Sequence, residues 1–542
     1  MPPASAQTRA RVTVVRNLLR SGEGERALAM ATAEASLALP GAADRIDMEF
    51  APWPRLRARW LQAVVARFPQ DPAPRAALAA VLQTLGHSSA ALDCCEAVLA
   101  RWPEDRATRE VRALALIERG DVETGLASLR ELVPGNRETA ARHLVVMHYD
   151  PTQSNDSLFA ALNDFGARHL RRFGPPYARH AQDPQRRLRI GWLSPRLSEG
   201  PVARFLEAPL RAFDRTGYEH LLLALQPLND EVGHRLAKLA DRCVLLPHLD
   251  DEALLSALRE LELDVLFDLA GHATANRLEV IAQRVAPLQI SWLDWFNTTA
   301  APNLDAWFSD PWLTPADSSQ AYTENLLHLP AGRFCYSPLA TAPAPDHDGA
   351  APLVFASFNR LAKLNDTVVA AWSRILLGAP GAQLELRARM LEDPATQTHL
   401  QERFAKHGVE AQRLRLHASV PYRDLLTAYA KVDIVLDPFP FSGCTTTCDA
   451  LWMGCPVVTL EGETLVSRQS ASLLQRLGRT EWIATSIDDY VSRALALAVQ
   501  VPSLRTQRVA LRAAVLERLC DADSQAHDMQ IAIRQLWQKA CA

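Results

Sequence analysis

Two hydrophobic rhythms divide the chain. Over residues 1–135, Ala, Leu and Arg recur at helical spacing, and a short motif repeats. Ala66-Arg67-Phe68-Pro69-Gln70-Asp71 returns as Ala100-Arg101-Trp102-Pro103-Glu104-Asp105, 34 residues further on. Gly86 and Gly120 share that spacing; each closes a helix-like run (Ala76 to Leu85, Arg109 to Arg119) and precedes another (Ala90 to Arg101, Glu123 to Leu132). Glycine supplies the tight turn between antiparallel helices, and Ala91 and Ala97 sit where close packing admits only small side chains. A 34-residue period of helix pairs predicts a stacked solenoid of tetratricopeptide type, with degenerate copies upstream around Ser21 to Pro40.

From Pro134 to Pro184 the pattern is broken by Gly, Asn, Pro and Tyr, which predicts a connecting segment. The second rhythm then begins. Short apolar runs (Leu188 to Leu193, Leu221 to Leu225, Cys243 to Leu246, Asp264 to Leu269, Leu288 to Leu293) alternate with helical stretches, as in βαβ units on a parallel sheet. A Pro-rich break at Ala340 to Pro352 intervenes, and the alternation restarts at Leu353 to Phe358, continuing through Leu384 to Leu386, Leu414 to Leu416, Val432 to Leu436 and Pro456 to Leu460. The expected organisation is helical repeats over 1–135, a linker with connecting helices over 136–185, and two Rossmann-like domains over 186–345 and 346–542. Residues Pro502 to Ala542 read as helical and suited to packing back across the domains. A cleft between the carboxyl ends of two such sheets is the expected place for a ligand.

Composition adds exclusions. At ~150 residues per domain, 542 residues are too many for one core. With 48% hydrophobic and 22% charged residues, collagen-like, disordered and coiled-coil classes drop out. Lys+Arg 58 against Asp+Glu 62 leaves a net charge of −4, which argues against nucleic acid as the main partner. No apolar stretch approaches the ~18–20 residues that span a bilayer, and Met1 to Val15 has no secretory core, so a cytoplasmic protein is expected. Nine cysteines without a CxxC pair fit a reducing compartment.

Candidate chemistry sits at strand ends. The strand Val432 to Leu436 runs into Asp437-Pro438-Phe439-Pro440-Phe441-Ser442-Gly443-Cys444, and Thr445, Thr446 and Thr447 then open a helix. Free N–H groups, the positive dipole end and hydroxyls together make an anion site suited to a diphosphate. No GxxxxGK[ST] is present, which disfavours a P-loop ATPase. Phe358-Asn359-Arg360-Leu361-Ala362-Lys363 follows another strand, so Lys363 can reach the cleft and neutralise a leaving phosphate. Asp268 to Arg277 brings His272 to a strand end as base or hydrogen-bond donor. Trp292, Trp295 and Phe296 read either as core or as a sugar-stacking wall. HxH, HExxH and cysteine quartets are missing, and Cys444 with Cys448 is a weak pair, so a metal-independent mechanism is expected.

The ordered set Asp268…Gly271-His272…Asn276-Arg277, Ala286-Pro287…Gln289-Ile290-Ser291-Trp292-Leu293, Asn297-Thr298-Thr299, Phe358-Asn359…Ala362-Lys363, Leu436-Asp437-Pro438…Gly443…Thr445-Thr446-Thr447-Cys448…Leu451-Trp452-Met453-Gly454 and Arg468…Leu474 resembles the bacterial branch of the O-linked N-acetylglucosamine transferase (SPINDLY-like) family over about residues 187–500. The resemblance implies tetratricopeptide repeats ahead of a GT-B fold and an inverting, metal-independent transfer of sugar to Ser/Thr of a protein. The implied donor is a nucleotide sugar, typically UDP-N-acetylglucosamine. It implies that Lys363 holds the donor phosphates, that Thr445 and Thr446 meet the diphosphate, that Asp449 lies near the ribose, and that Leu293 and Asp294 line the sugar. Asn359, Arg360, Gly443, Cys444, Thr447 and Arg468 complete the implied donor set, and the repeats would dock the acceptor, for which flagellin is a candidate.

Departures from the family pattern cluster on the donor pocket. Gly200-Pro201 stands where an active-site histidine is usual, Asp294-Trp295-Phe296 where the family mostly reads Gly-Tyr-Pro, Cys444 in place of His or Thr, and Leu425 where a His commonly sits. Asp294 and His272 therefore become the candidate polar groups near an acceptor hydroxyl. A sialic-acid-like donor would be repelled by Asp294 unless Arg277, Arg360 or Arg468 compensates. The competing expectation, from the missing histidine, is a repeat-based binding protein with a silent transferase region.

Overall fold

The computed structural model describes residues 6–34, 37, 42–134, 136–170, 173–178, 183–347 and 352–542. Residues 348–351 of the Pro-rich break and residues 35, 36 and 38–40 of the upstream degenerate repeat lie outside them.

The repeat motif is explained by its caps. Asp71 and Asp105, 34 residues apart, each accept a backbone N–H at a helix start, from Ala73 at 3.1 Å and from Thr108 at 2.9 Å. The helices they open, Pro72–Leu85 and Arg106–Arg119, end on Gly86 and Gly120 in the left-handed region, at φ 94° and 105°. Helices Ser88–Leu99 and Val122–Leu132 complete the two pairs. Helices Gly24–Ala33 and Pro54–Arg67 precede them. The expected connecting segment carries two more helices, Arg137–Met147 and Asn155–His169, and the first packs on Val122–Leu132 as the stack's next layer.

Two parallel sheets follow. The first joins β1 (Leu188–Ser194), β2 (Tyr218–Ala224), β3 (Arg242–Leu245), β4 (Val265–Asp268), β5 (Leu288–Ser291), β6 (Ala306–Ser309) and β7 (Asn325–His328) in the order β3-β2-β1-β4-β5-β6-β7. The second joins β8 (Val354–Ser357), β9 (Gln383–Arg387), β10 (Leu414–His417), β11 (Ile434–Leu436), β12 (Val457–Leu460) and β13 (Ile483–Ala484) as β10-β9-β8-β11-β12-β13. Central strands such as β4 and β8 are buried along their whole length, which is why they read as unbroken apolar runs. Strand order reverses between β1 and β4 and again between β8 and β11, so each half has its topological switch point there. β6, β7 and β13 were outside the expected set: β7 is an edge strand of polar ends, and β13 has two residues.

The chain ends by crossing back. Helix Arg508–Leu519 packs in the second half against Thr445–Trp452, and Ala522–Cys541 returns to the first half against helix Pro201–Ala212. Trp537 is fully buried there, and Gln525 Nε2 donates to the carbonyls of Gly332 and Arg333, both at 2.9 Å. Among the described residues no helix is long and apolar enough to cross a membrane.

Candidate active site

A cavity of about 950 Å³ opens where the carboxyl ends of both sheets meet the repeats. Arg196 beyond β1, His272 beyond β4, and Leu293 and Asp294 beyond β5 form one wall. Asn359, Arg360 and Lys363 beyond β8, with Cys444, Thr445 and Thr446 beyond β11, form the second. Leu114, Ile117 and Glu118 of helix Arg106–Arg119 and Ala141, Val145 and Tyr149 on and just past helix Arg137–Met147 form the third.

The second wall gathers a lysine and the N-terminus of a helix. Asp437, buried at the end of β11, accepts the Gly443 N–H at 2.6 Å through Oδ1 and the Thr459 hydroxyl at 2.7 Å through Oδ2, which draws the turn back onto the sheet. A Cβ on Gly443 would come within 2.5 Å of Thr447 Oγ1 and 2.7 Å of Thr446 Oγ1, so only glycine fits. Helix Thr445–Trp452 then starts at Cys444 with no side chain capping it, leaving its first N–H groups and dipole for a ligand. Thr446 Oγ1 donates to Asn359 Oδ1 at 3.2 Å, tying the helix start to the loop after β8. Lys363 Nζ donates to Ser442 O at 2.8 Å and to Asn359 Oδ1 at 3.2 Å, 4.5 Å from the centre of the Phe441 ring. Burial pulls its pKa down to about 8 against the partial support of Asp437.

The first wall is different in kind. His272 donates from Nε2 to Thr299 O at 2.7 Å, which leaves Nδ1 as an acceptor with no hydrogen-bond partner. Burial drops its pKa to about 4, so the ring is neutral. Leu293 and Asp294 are consecutive non-glycine residues at φ 60° and 38°, closed by Trp295 N–H on Leu293 O at 2.5 Å. Such conformations cost of order 1–3 kcal/mol each and persist only where the surroundings impose them. Arg196 Nη1 stands 3.2 Å from Asp294 Oδ2, and burial still lifts the carboxyl to about 6. Trp295 and Phe296 face the cavity, whereas Trp292 is core, so the aromatic cluster divides between its two readings.

Other residues of the expected set lie off the cavity. Thr447 turns inward to Ser470 Oγ at 2.7 Å. Asp449 accepts hydroxyls from Tyr336 and Tyr422, both at 2.6 Å, in a buried cluster with Arg204 over the Tyr422 ring. Arg468 donates to Trp312 O at 2.9 Å and pairs with Glu461 at 2.5 Å. Arg360 lines the cavity but is paired with Glu118 of the repeats, and Arg277 is held by Asp251 at 2.6 Å. None of the three arginines named as compensators faces Asp294; Arg196 does. Sequence reasoning missed Arg196, although its place just past β1 was the same strand-end signal that marked His272. It also missed Tyr149 and the repeat wall, which no local motif announces.

Glycosyl transferase family 41 matches residues 168–337 and 345–532. The probable UDP-N-acetylglucosamine--peptide N-acetylglucosaminyltransferase SPINDLY of Petunia hybrida is 31% identical over 419 residues, which cover 75% of this chain and 45% of that protein. Its namesake in Arabidopsis thaliana is 31% identical over 420 residues, 75% and 46% of the two chains. The chain therefore spans a little under half the length of these relatives. A solved mutant of the Thermobaculum terrenum O-GlcNAc transferase superposes with a TM-score of 0.84 at 30% identity, over 99% of both chains. With two Rossmann-like halves and a family match across both, the chain belongs to glycosyl transferase family 41.

Proposed function

We propose that this protein transfers a sugar from a nucleotide-sugar donor to a Ser or Thr hydroxyl of a protein acceptor. The observation that carries the reading is the second wall, where Lys363 and the uncapped helix start at Cys444 aim positive charge at one point of the cavity. The acceptor oxygen attacks the anomeric carbon, the bond from that carbon to the diphosphate oxygen breaks, and the negative charge that develops on the diphosphate is met by Lys363 Nζ and the helix N–H groups. The acceptor's proton leaves to a base. These fixed charges support a metal-independent course, and attack from the face opposite the diphosphate gives inversion. Names borne by the relatives make UDP-N-acetylglucosamine the first donor to test.

The repeat wall supplies the acceptor side: Leu114, Ile117 and Val145 offer an apolar strip beside Glu118 and Arg142. A surface-appendage protein such as flagellin is the first acceptor to try. Incubating the protein with UDP-, GDP- and CMP-linked sugars and a co-expressed acceptor, then reading intact mass, should show a sugar increment. Lys363→Ala should lower turnover by at least ~10²-fold, the cost of losing one electrostatic stabiliser. Transfer by that variant at a near-normal rate would overturn the assignment.

One observation favours a second reading. Gly200 precedes helix Pro201–Ala212 with no side chain, and a Cβ built on it would meet no other residue within 4 Å, so no neighbouring side chain stands in for the missing imidazole at that point. A silent transferase region acting as a scaffold would bind neither UDP, GDP nor CMP in calorimetry.

A further inference from the structure

We propose that Tyr149 is an acceptor-contacting residue supplied by the repeat module, its phenol donating a hydrogen bond to the acceptor chain beside the Ser or Thr that receives the sugar. The inference rests on the transferase reading and deepens it: the reacting point is completed by a side chain from the segment that joins the repeats to the two halves.

The chain around Tyr149 is pinned on both sides. Leu144 O can only accept, so His148 Nδ1 donates to it at 2.8 Å, and His148 Nε2 is left to accept from Asn297 Nδ2 of the first half at 3.0 Å. The same imidazole stands edge-on to Phe296, with 4.7 Å between ring centres. Tyr149 meets the second half instead, its ring centre 5.0 Å from that of Phe441. Asp150 Oδ1 then accepts the Thr152 N–H at 2.9 Å as the chain turns. Tyr149 is thus fixed between the halves, at the end of a helix that packs on the repeat stack.

The ring that Tyr149 touches is also the one beneath Lys363. Nζ stands 4.5 Å from the centre of the Phe441 ring, so a single phenyl group carries the lysine and the phenol together. Arg196, Arg360 and Glu118, one from each wall of the cavity, lie within electrostatic reach of the phenol, which places it where the three walls meet. Those charges are engaged, Arg360 with Glu118 and Arg196 with Asp294. The phenol is not. Tyr149 is only 5% exposed, yet among the described residues no group hydrogen-bonds its Oη, and that oxygen keeps access to the cavity. Burial raises its pKa above the usual value, so it is protonated and can donate. A donor held at a cavity without an acceptor asks for an oxygen from the ligand.

The ligand it meets is the acceptor. Under the transferase reading Lys363 and the helix start at Cys444 take the diphosphate on the second wall, and the nucleophile arrives along another. The third wall is the apolar one: Leu114, Ile117, Ala141 and Val145 leave a strip that ends at Tyr149 against Phe441. A chain lying on that strip buries its apolar groups and comes beside Lys363 at Tyr149. A peptide carbonyl taken out of water there needs a donor, and the phenol supplies one. Phenylalanine would make the same ring contact without it, so the hydroxyl is a polar addition to an apolar path.

The test splits acceptor from donor. Transfer by the full chain from UDP-, GDP- and CMP-linked sugars to a library of Ser/Thr peptides with randomised flanks is read as nucleotide release above the rate with water alone. Tyr149→Phe keeps the ring on Phe441 and removes only the hydroxyl. It should lower kcat/KM for the peptides by about five- to tenfold, the scale of one lost hydrogen bond, with the change carried by KM. Calorimetric affinity for the nucleotide and the melting temperature should not move, which a general loosening of the fold would shift. An unchanged kcat/KM, a fall carried by kcat alone, or an equal loss of nucleotide affinity overturns this inference and leaves the transferase reading standing. Absence of peptide-dependent release by the unmodified protein from all three donor classes overturns the transferase reading itself.

Discussion

A single amine carries most of the chemistry proposed at the residue scale, and its titration gives two opposite slopes. Lys363 has a pKa of about 8 in the folded protein against its usual 10.5. Only the protonated form neutralises a departing diphosphate, so kcat/KM, which reports the free enzyme, should fall as pH rises through about 8. Stability moves the other way. Between about 8 and 10.5 the unfolded chain holds a proton on this lysine that the folded chain has released, so its contribution to stability rises with pH across that window. In Lys363→Met the activity slope and the matching stability slope should both vanish in pH-dependent assays and urea titrations; a surviving kcat/KM decline would place the titrating group elsewhere. Thr446→Val should weaken nucleotide binding by about tenfold in calorimetry, the scale of one lost hydrogen bond. Lys363, Thr445, Thr446, Asn359 and Leu293 were legible in the sequence because each sits just past a strand, and strand ends converge in a parallel sheet. Thr447, Asp449 and Arg468 share that neighbourhood in sequence, yet point away because Ser470, Tyr336 with Tyr422, and Glu461 claim them. Those partners lie 7 to 113 residues distant, with Tyr336 on the opposite half, so side-chain aim stayed hidden.

Among the elements, the inter-repeat turns do more than reverse the chain. Gly86 packs on the backbone of Arg389, and Gly120 abuts Arg403 Nη1 and the carbonyl of Leu361, the first residue of the short turn that holds Lys363. His399 on Asp121 at 2.9 Å and the Ser89 N–H on Asp393 at 2.8 Å extend this seam. Gly120→Ala would place a methyl 2.6 Å from Arg403 Nη1 at φ 105°, and should cost about 1–3 kcal/mol in urea unfolding. Because the seam backs onto the Lys363 turn, the same change should lower kcat, whereas a purely local effect would leave it unmoved. The glycines and their 34-residue spacing were readable from sequence; what they touch was not, since the contacts are made to residues 241 to 303 positions later. Likewise buried strands such as β1 and β2 announced themselves, while β7 has exposed polar ends and β13 only two residues.

For the whole molecule, the halves are bound by the returning C-terminal helix. Trp537 is fully buried and donates from Nε1 to Asp183 O at 3.1 Å. Trp537→Ala should cost about 3–5 kcal/mol, visible as a lowered melting temperature, with loss of transfer near that temperature. The chain passes between the halves twice, once after Tyr336 and once after Leu519, and the two passages lie side by side, with the Tyr336 N–H donating to Leu519 O at 2.7 Å. Two crossings joined at one edge tether the halves there, so under the transferase reading a substitution that breaks this contact should change the rates of donor entry and nucleotide release together, as read by stopped-flow binding.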